Sequence, residues 1–87
     1  MKNKVLIKLI VPELDTTFDL FIPINEIVWK VKKLIVKSVN DITSGSLPID
    51  QEYILLNKEN SNCYDNNQII IDTDIRNATE LVLIMVK

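Results

Sequence analysis

The sequence predicts an α+β domain. One amphipathic helix packs on a mixed sheet of four to five strands, in the order β-β-α-β-β-β. Three observations carry this expectation. Residues 25–39 are the one stretch whose apolar positions recur at helical spacing. Two short alternating runs precede it, separated by a four-residue turn. The final run, 80–86, is apolar on both faces, as a strand in the middle of a sheet should be.

The first run, 4–11, places Val5, Ile7, Leu9 and Val11 on one face and Lys4, Leu6, Lys8 and Ile10 on the other. Pro12 can pre-set the backbone for the turn through Asp15. In the second run, 16–22, Phe18, Leu20 and Ile22 point one way, Asp19 and Phe21 the other. So short a connection makes the pair an antiparallel hairpin.

Asn25 is the expected N-cap of the helix, with Pro23 keeping the chain before it extended. Glu26 in the first turn and lysines in later turns suit the helix dipole. Ile27, Val28, Val31, Leu34, Ile35 and Val39 form the expected core arc. Lys30, Lys33 and Lys37 lie opposite, with Trp29 and Val36 on that same side. An apolar pair on a lysine face has two readings. Trp29 folds over the helix edge and covers core, or Trp29, Lys33 and Val36 form a docking point for a partner.

Residues 40–51 hold the only glycine, Gly45, and read as the longest break. A third strand, 53–57, is expected to turn Ile54 and Leu56 inward and Tyr53 and Leu55 outward. An Asn-rich segment follows, with Cys63-Tyr64 as a short strand inside it; asparagine tolerates the left-handed backbone that turns need. Residues 68–71 read as a β-branched run or as one turn of 3₁₀ helix. In the last strand Leu81, Leu83 and Met85 share one face, Val82, Ile84 and Val86 the other. A helix after the hairpin is long enough to cross the sheet, so this strand should lie beside the first, parallel to it and central.

At 87 residues the chain supports one domain over 1–87 with one modest core. Yet 47% of the residues are apolar, more than such a core needs, so some should remain outside. The net charge of −2 argues against a general nucleic-acid binder. Residues 1–40 hold seven lysines against four acids, and the remainder three basic residues against eight acids, which predicts a two-signed surface. The single Cys63 fits a reducing compartment. Lys8 interrupts the first apolar run and no cleavage site follows, so no signal peptide is expected. The longest uncharged apolar run, 81–86, is too short for membrane insertion. A cytoplasmic protein is the expectation.

No catalytic set emerges. Cys63 is the only candidate nucleophile, and a chain without histidine lacks its usual activating base. Asp65, Asp72 and Asp74 do not follow the calcium-loop pattern, and no glycine-rich phosphate loop is present, so neither metal nor cofactor is expected. The sharper signal is the far side of the sheet. If the strand faces are as read, Leu6, Ile10, Phe21, Leu55, Val82 and Ile84 all point away from the helix. A contiguous apolar patch there calls for a protein partner or a second copy of the chain. Sheet twist, with Lys4, Lys8 and Tyr53 as shields, is the competing account.

The order of elements, with Phe18-Asp19-Leu20, Pro23, Ile27, Leu34-Ile35, Val39, Asn57-Lys58 and the segment 75–84, IRNATELVLI, resembles the ubiquitin-like β-grasp fold. Within it the chain is similar to the EsaB/YukD family, small ubiquitin-like proteins of bacterial type VII secretion systems. Two departures stand out. Asn77-Ala78-Thr79 replaces the family's frequent Asp-Gly, and Met85-Val86-Lys87 replaces the Gly-Gly terminus of ubiquitin and the sulfur carriers. The resemblance implies a non-catalytic accessory of the secretion apparatus, whose large membrane ATPase is the implied contact. A ubiquitin-like regulatory domain of an unrelated complex is the alternative. A sulfur carrier or modifier is disfavoured by the terminus.

Overall fold

A computed structural model describes residues 3–86 of the chain. Strand β1 spans Lys4–Val11 and β2 spans Thr16–Pro23. They form an antiparallel hairpin in which Leu6 faces Phe21 and Lys8 faces Asp19. A 3₁₀ turn over Pro12–Leu14 joins them, closed by the Asp15 N–H donating to the Pro12 carbonyl at 3.1 Å. Asp15 itself sits at φ 51°, a left-handed position that aspartate tolerates.

Helix α1 runs Val28–Ile42. It begins two residues later than Asn25 as its cap predicts, and no side chain caps it. The reason lies in residues 66–71. The amides of Ile70 and Ile71 donate to the carbonyls of Glu26 and Ile24, at 3.0 and 2.9 Å, so residues 24–27 are held outside the helix. The first helical amides, Val28 and Trp29, then donate to the carbonyls of Gln68 and Asn66. Backbone from a distant loop thus satisfies the orphan donors that a capping side chain would otherwise take. At the other end α1 continues to Ile42 instead of stopping at Val39. Gly45 at φ 92° closes it by donating to the Asn40 carbonyl at 2.8 Å.

Strand β3 spans Tyr53–Asn57 and β4 spans Glu80–Met85. The sheet order is β2-β1-β4-β3, with β4 parallel to β1 and antiparallel to β3. The last strand is therefore central. Its Leu81 and Leu83 are completely buried. The Cys63 region contributes an isolated bridge to Leu56, not a full strand. Of the two readings for 68–71, both hold in part: Ile69 bridges to Ile27, and a 3₁₀ turn over Ile70–Asp72 inserts Ile70 into the core.

The core lies between the sheet and α1, built on Ile7, Leu9 and Val11 of β1 against Val28, Val31, Ile35 and Val39 of α1. Each such side chain contributes about 1.5–3 kcal/mol when fully buried. Two helix assignments are corrected. Leu34, expected in the core, is 48% exposed; Val36, expected among the lysines, is 4% exposed. Among the described residues no helix is long and apolar enough to cross a membrane. Lys87 lies outside the described residues.

Candidate interaction surface

Alternation along the strands gives the sheet an outer face that α1 does not cover. On β1 it presents Leu6, Lys8 and Ile10; on β2, Asp19 and Phe21. On β4 it presents Glu80, Val82 and Ile84. On β3 it presents Ile54 and Leu56, because the strand is one residue out of phase with the sequence expectation. Leu55 is fully buried, opposite Leu83, and so is no part of an outer surface.

The polar residues of β3 explain the phase. Tyr53 and Asn57 both point inward, and each finds partners there. The Tyr53 hydroxyl donates to the Pro48 carbonyl. Asn57 Nδ2 donates to the Tyr64 hydroxyl at 3.3 Å, and its Oδ1 accepts from the Glu59 amide at 2.9 Å. A buried polar atom with its hydrogen bonds made is tolerated, so the strand can turn Leu55 in and Ile54 out.

The register also divides the outer face. Asp19, Lys8 and Glu80 stand side by side across β2, β1 and β4, and Lys58 Nζ reaches Glu80 at 3.4 Å. This charged row separates Leu6 and Phe21 from the remaining apolar residues. Beyond the row, Ile10 pairs with Val82, Val82 with Leu56, and Ile84 with Ile54. Those five form one cluster, with Ile54 and Ile84 exposed by 39% and 36%. Phe21, at 55%, belongs to the smaller cluster with Leu6. The single patch expected from sequence is thus two, and the larger lies over β4 and β3.

On the helix, Trp29 is 40% exposed and Lys33 stands over its ring, 5.3 Å from the centroid. Lys30 lies on the same ring at 5.8 Å. Val36 is buried and cannot itself present a surface, though it lies beneath this pair.

A polar network that sequence reasoning missed sits at the far end of β3. Tyr64 is buried and donates its hydroxyl to Asp74, which also accepts from Asn60 Nδ2 at 3.3 Å. Burial, and then the hydrogen bond to Asp74, push the Tyr64 phenol up to about 12. The same hydrogen bond holds the Asp74 carboxyl below its usual value. Asp74 therefore works as an acceptor for the loop. No group of three or more metal-ligating side chains comes together among the described residues. Cys63 is an exposed free thiol.

No protein-family model and no curated protein sequence matches the chain. Solved structures do. A chain of the ESX-5 inner membrane complex superposes over 97% of this chain with a TM-score of 0.77 at 14% identity. The ubiquitin-like domain of an Arabidopsis thaliana protein superposes over 95%, with a TM-score of 0.64 at 14% identity and 78% of its own length covered. The fold is the ubiquitin-like β-grasp. A chain of the toluene 4-monooxygenase HD complex gives a TM-score of 0.72 at 5% identity, over 95% of this chain and 99% of its own. The present chain spans about a fifth, 21%, of the ESX-5 chain that it matches. A β-grasp domain thus occurs in quite different assemblies, and function must be argued from surfaces.

Proposed function

We propose that this protein is a non-catalytic interaction module of the EsaB/YukD kind, an accessory on the cytoplasmic side of a type VII secretion apparatus. It docks through the outer face of β3 and β4 onto a protein of the inner-membrane machinery, with the system's large membrane ATPase as the first partner to test. The observation that carries this reading is the apolar cluster of Ile10, Leu56, Val82, Ile54 and Ile84 on a sheet face that no element among the described residues covers. Contiguous apolar surface on a small domain marks a contact. The fold shared with a chain of the ESX-5 inner membrane complex supports the choice of assembly.

The test is the variant pair Ile54→Glu and Ile84→Glu. Both positions are more than a third exposed, so each variant should still fold, at a cost of about 1 kcal/mol and a melting temperature about 4–8 °C below the parent's. An unpaired carboxylate trapped in the contact costs about 3 kcal/mol or more, a weakening beyond roughly a hundredfold in Kd. Each variant should therefore lose co-purification with the inner-membrane complex of its host and fail to restore secretion in a deletion strain. Sedimentation of the purified parent separates a second copy of the chain from a foreign partner. Both variants behaving as the parent in co-purification and in secretion would end the proposal.

A further inference from the structure

A groove runs between α1 and the segment leading into β3, on the opposite side of the sheet from the outer face. Its volume is about 390 Å³, room for one or two large apolar side chains. Val36 and Tyr53 form its floor, 4% and 5% exposed. Trp29 and Ile49 stand on either side of it, 40% and 65% exposed. Two large apolar side chains held apart over an apolar floor leave a slot that none of the described residues fills.

The rim is charged, and unequally. Lys32, Lys33 and Lys37 line the helix side; Glu52 is the one carboxylate among the lining residues. This positive excess sits in a chain whose net charge is −2. Two of the lysines are already answered. Lys32 Nζ donates to the Tyr53 carbonyl at 2.9 Å and lies near Glu52, and Lys37 pairs with Asp41 at 3.5 Å. Among the described residues Lys33 has only the Trp29 ring, so an ammonium is poised beside an aromatic wall.

The backbone next to the groove excludes one binding mode. On the free edge of β3 the Tyr53 carbonyl accepts from Lys32 and the Leu55 carbonyl accepts from the Tyr64 amide at 3.1 Å. A ligand strand added to that edge would have to displace both, so recognition there must run through side chains.

From these features we infer that the groove binds a short acidic-apolar peptide segment of a partner protein. A large apolar side chain of the segment lies between Trp29 and Ile49, and an adjacent carboxylate meets Lys33. A flat anionic surface would use the lysines but leave the slot empty, which is why a peptide fits better than a lipid headgroup or a nucleic acid.

The sole tryptophan of the chain lines the groove, so its emission reports on occupancy directly. A phage-displayed random peptide library selected on the intact protein should enrich sequences with Leu, Ile or Phe flanked by Asp or Glu. The enriched peptide, synthesised, should shift the Trp29 emission, and its affinity should fall as salt is raised. Lys33→Glu should weaken it about tenfold, and Ile49→Ala and Trp29→Ala about thirtyfold, the loss expected of an anchor contact, with calorimetric titration giving the affinity of Trp29→Ala, which keeps no tryptophan to report. Circular dichroism melts confirm that the variants fold. Ile54→Glu, on the outer face, should bind the peptide as the parent does.

Four results with peptides would overturn the inference: no enrichment, enrichment of basic or uncharged sequences, peptides indifferent to Lys33→Glu and Ile49→Ala, or peptides lost with Ile54→Glu. The last would move the binding to the outer face and leave the proposed function standing. Binding of phosphatidylserine vesicles or single-stranded DNA with the same sensitivity to Lys33→Glu, in the absence of peptide binding, would also overturn it.

Discussion

Leu55 and Ile54 are neighbours in β3, and the direction each faces decides which surface the protein can offer. Leu55 is fully buried against Leu83, while Ile54 is 39% exposed opposite Ile84. Truncating a fully buried leucine to alanine removes its transfer energy and leaves a cavity, at about 2–5 kcal/mol, with about 3 kcal/mol the central value. Ile54→Ala gives up only part of a side-chain burial, about 1 kcal/mol. A domain of this length has a total stability of roughly 4–13 kcal/mol, so the first change removes a large share and the second does not. At roughly 4–8 °C per kcal/mol, Leu55→Ala should lower the melting temperature by about 12–24 °C and Ile54→Ala by about 4–8 °C. Urea titrations should give the same order with unchanged m-values. Equal losses, or a larger loss for Ile54→Ala, would mean that β3 faces the other way. The outer cluster over β4 would then lose two of its five members.

Tyr64 should make stability fall in alkali. Its phenol is pushed up to about 12 in the folded protein, so the stabilisation is fully present below the ordinary tyrosine value near 10 and is lost as pH rises from there through about 12. Tyr64→Phe should cost about 1 kcal/mol at neutral pH and remove most of that alkaline decline. Denaturant titrations across the range measure both effects, and an undiminished decline in the variant would refute the assignment. The acid side runs oppositely. Asp74 is held low by the Tyr64 hydroxyl, so its contribution is present above the ordinary carboxylate range and lost as pH falls through the lowered value. In Tyr64→Phe the folded value moves back toward the ordinary one, so that acid loss should shrink. Ala78 occupies φ 72°, where an L-residue with a Cβ is strained. Ala78→Gly should relieve more strain than it adds in unfolded-chain entropy, raising stability by about 0.5–1 kcal/mol in a thermal melt.

Much of the architecture was legible because its signals were redundant. In β1 the lysines at 4 and 8 mark one face as solvent, and the turn at Pro12 fixes where the hairpin reverses. In β4 the absence of a polar face called for a central place, and the strand lies between β1 and β3. The helix start was misplaced because its cap is not local. Asn25 is a good capping residue by type, but the backbone of residues 66–71 claims its neighbourhood first. A hydrogen bond made across so long a stretch of chain leaves no trace in the helix's own sequence.

The two side-chain misreadings share one cause, and it bears on function. At about 100° per residue, Leu34 and Val36 lie roughly 100° to either side of the centre of the arc made by Val28, Val31, Ile35 and Val39. Periodicity treats them as equals, so tertiary surroundings decide between them. The chain between α1 and β3 passes on the Val36 side, bringing Ile49 and Tyr53 against that flank and leaving Leu34 bare. The phase of β3 belongs to the same event. Tyr53 can face the helix only because its hydroxyl meets the Pro48 carbonyl of that same connection. One segment therefore buries Val36, turns Tyr53 inward, sends Ile54 to the outer face, and raises the wall opposite Trp29. Sequence patterns find apolar residues but not which loop will cover them. In this protein the loop's route is what separates the residues that hold the fold together from those free to meet another molecule.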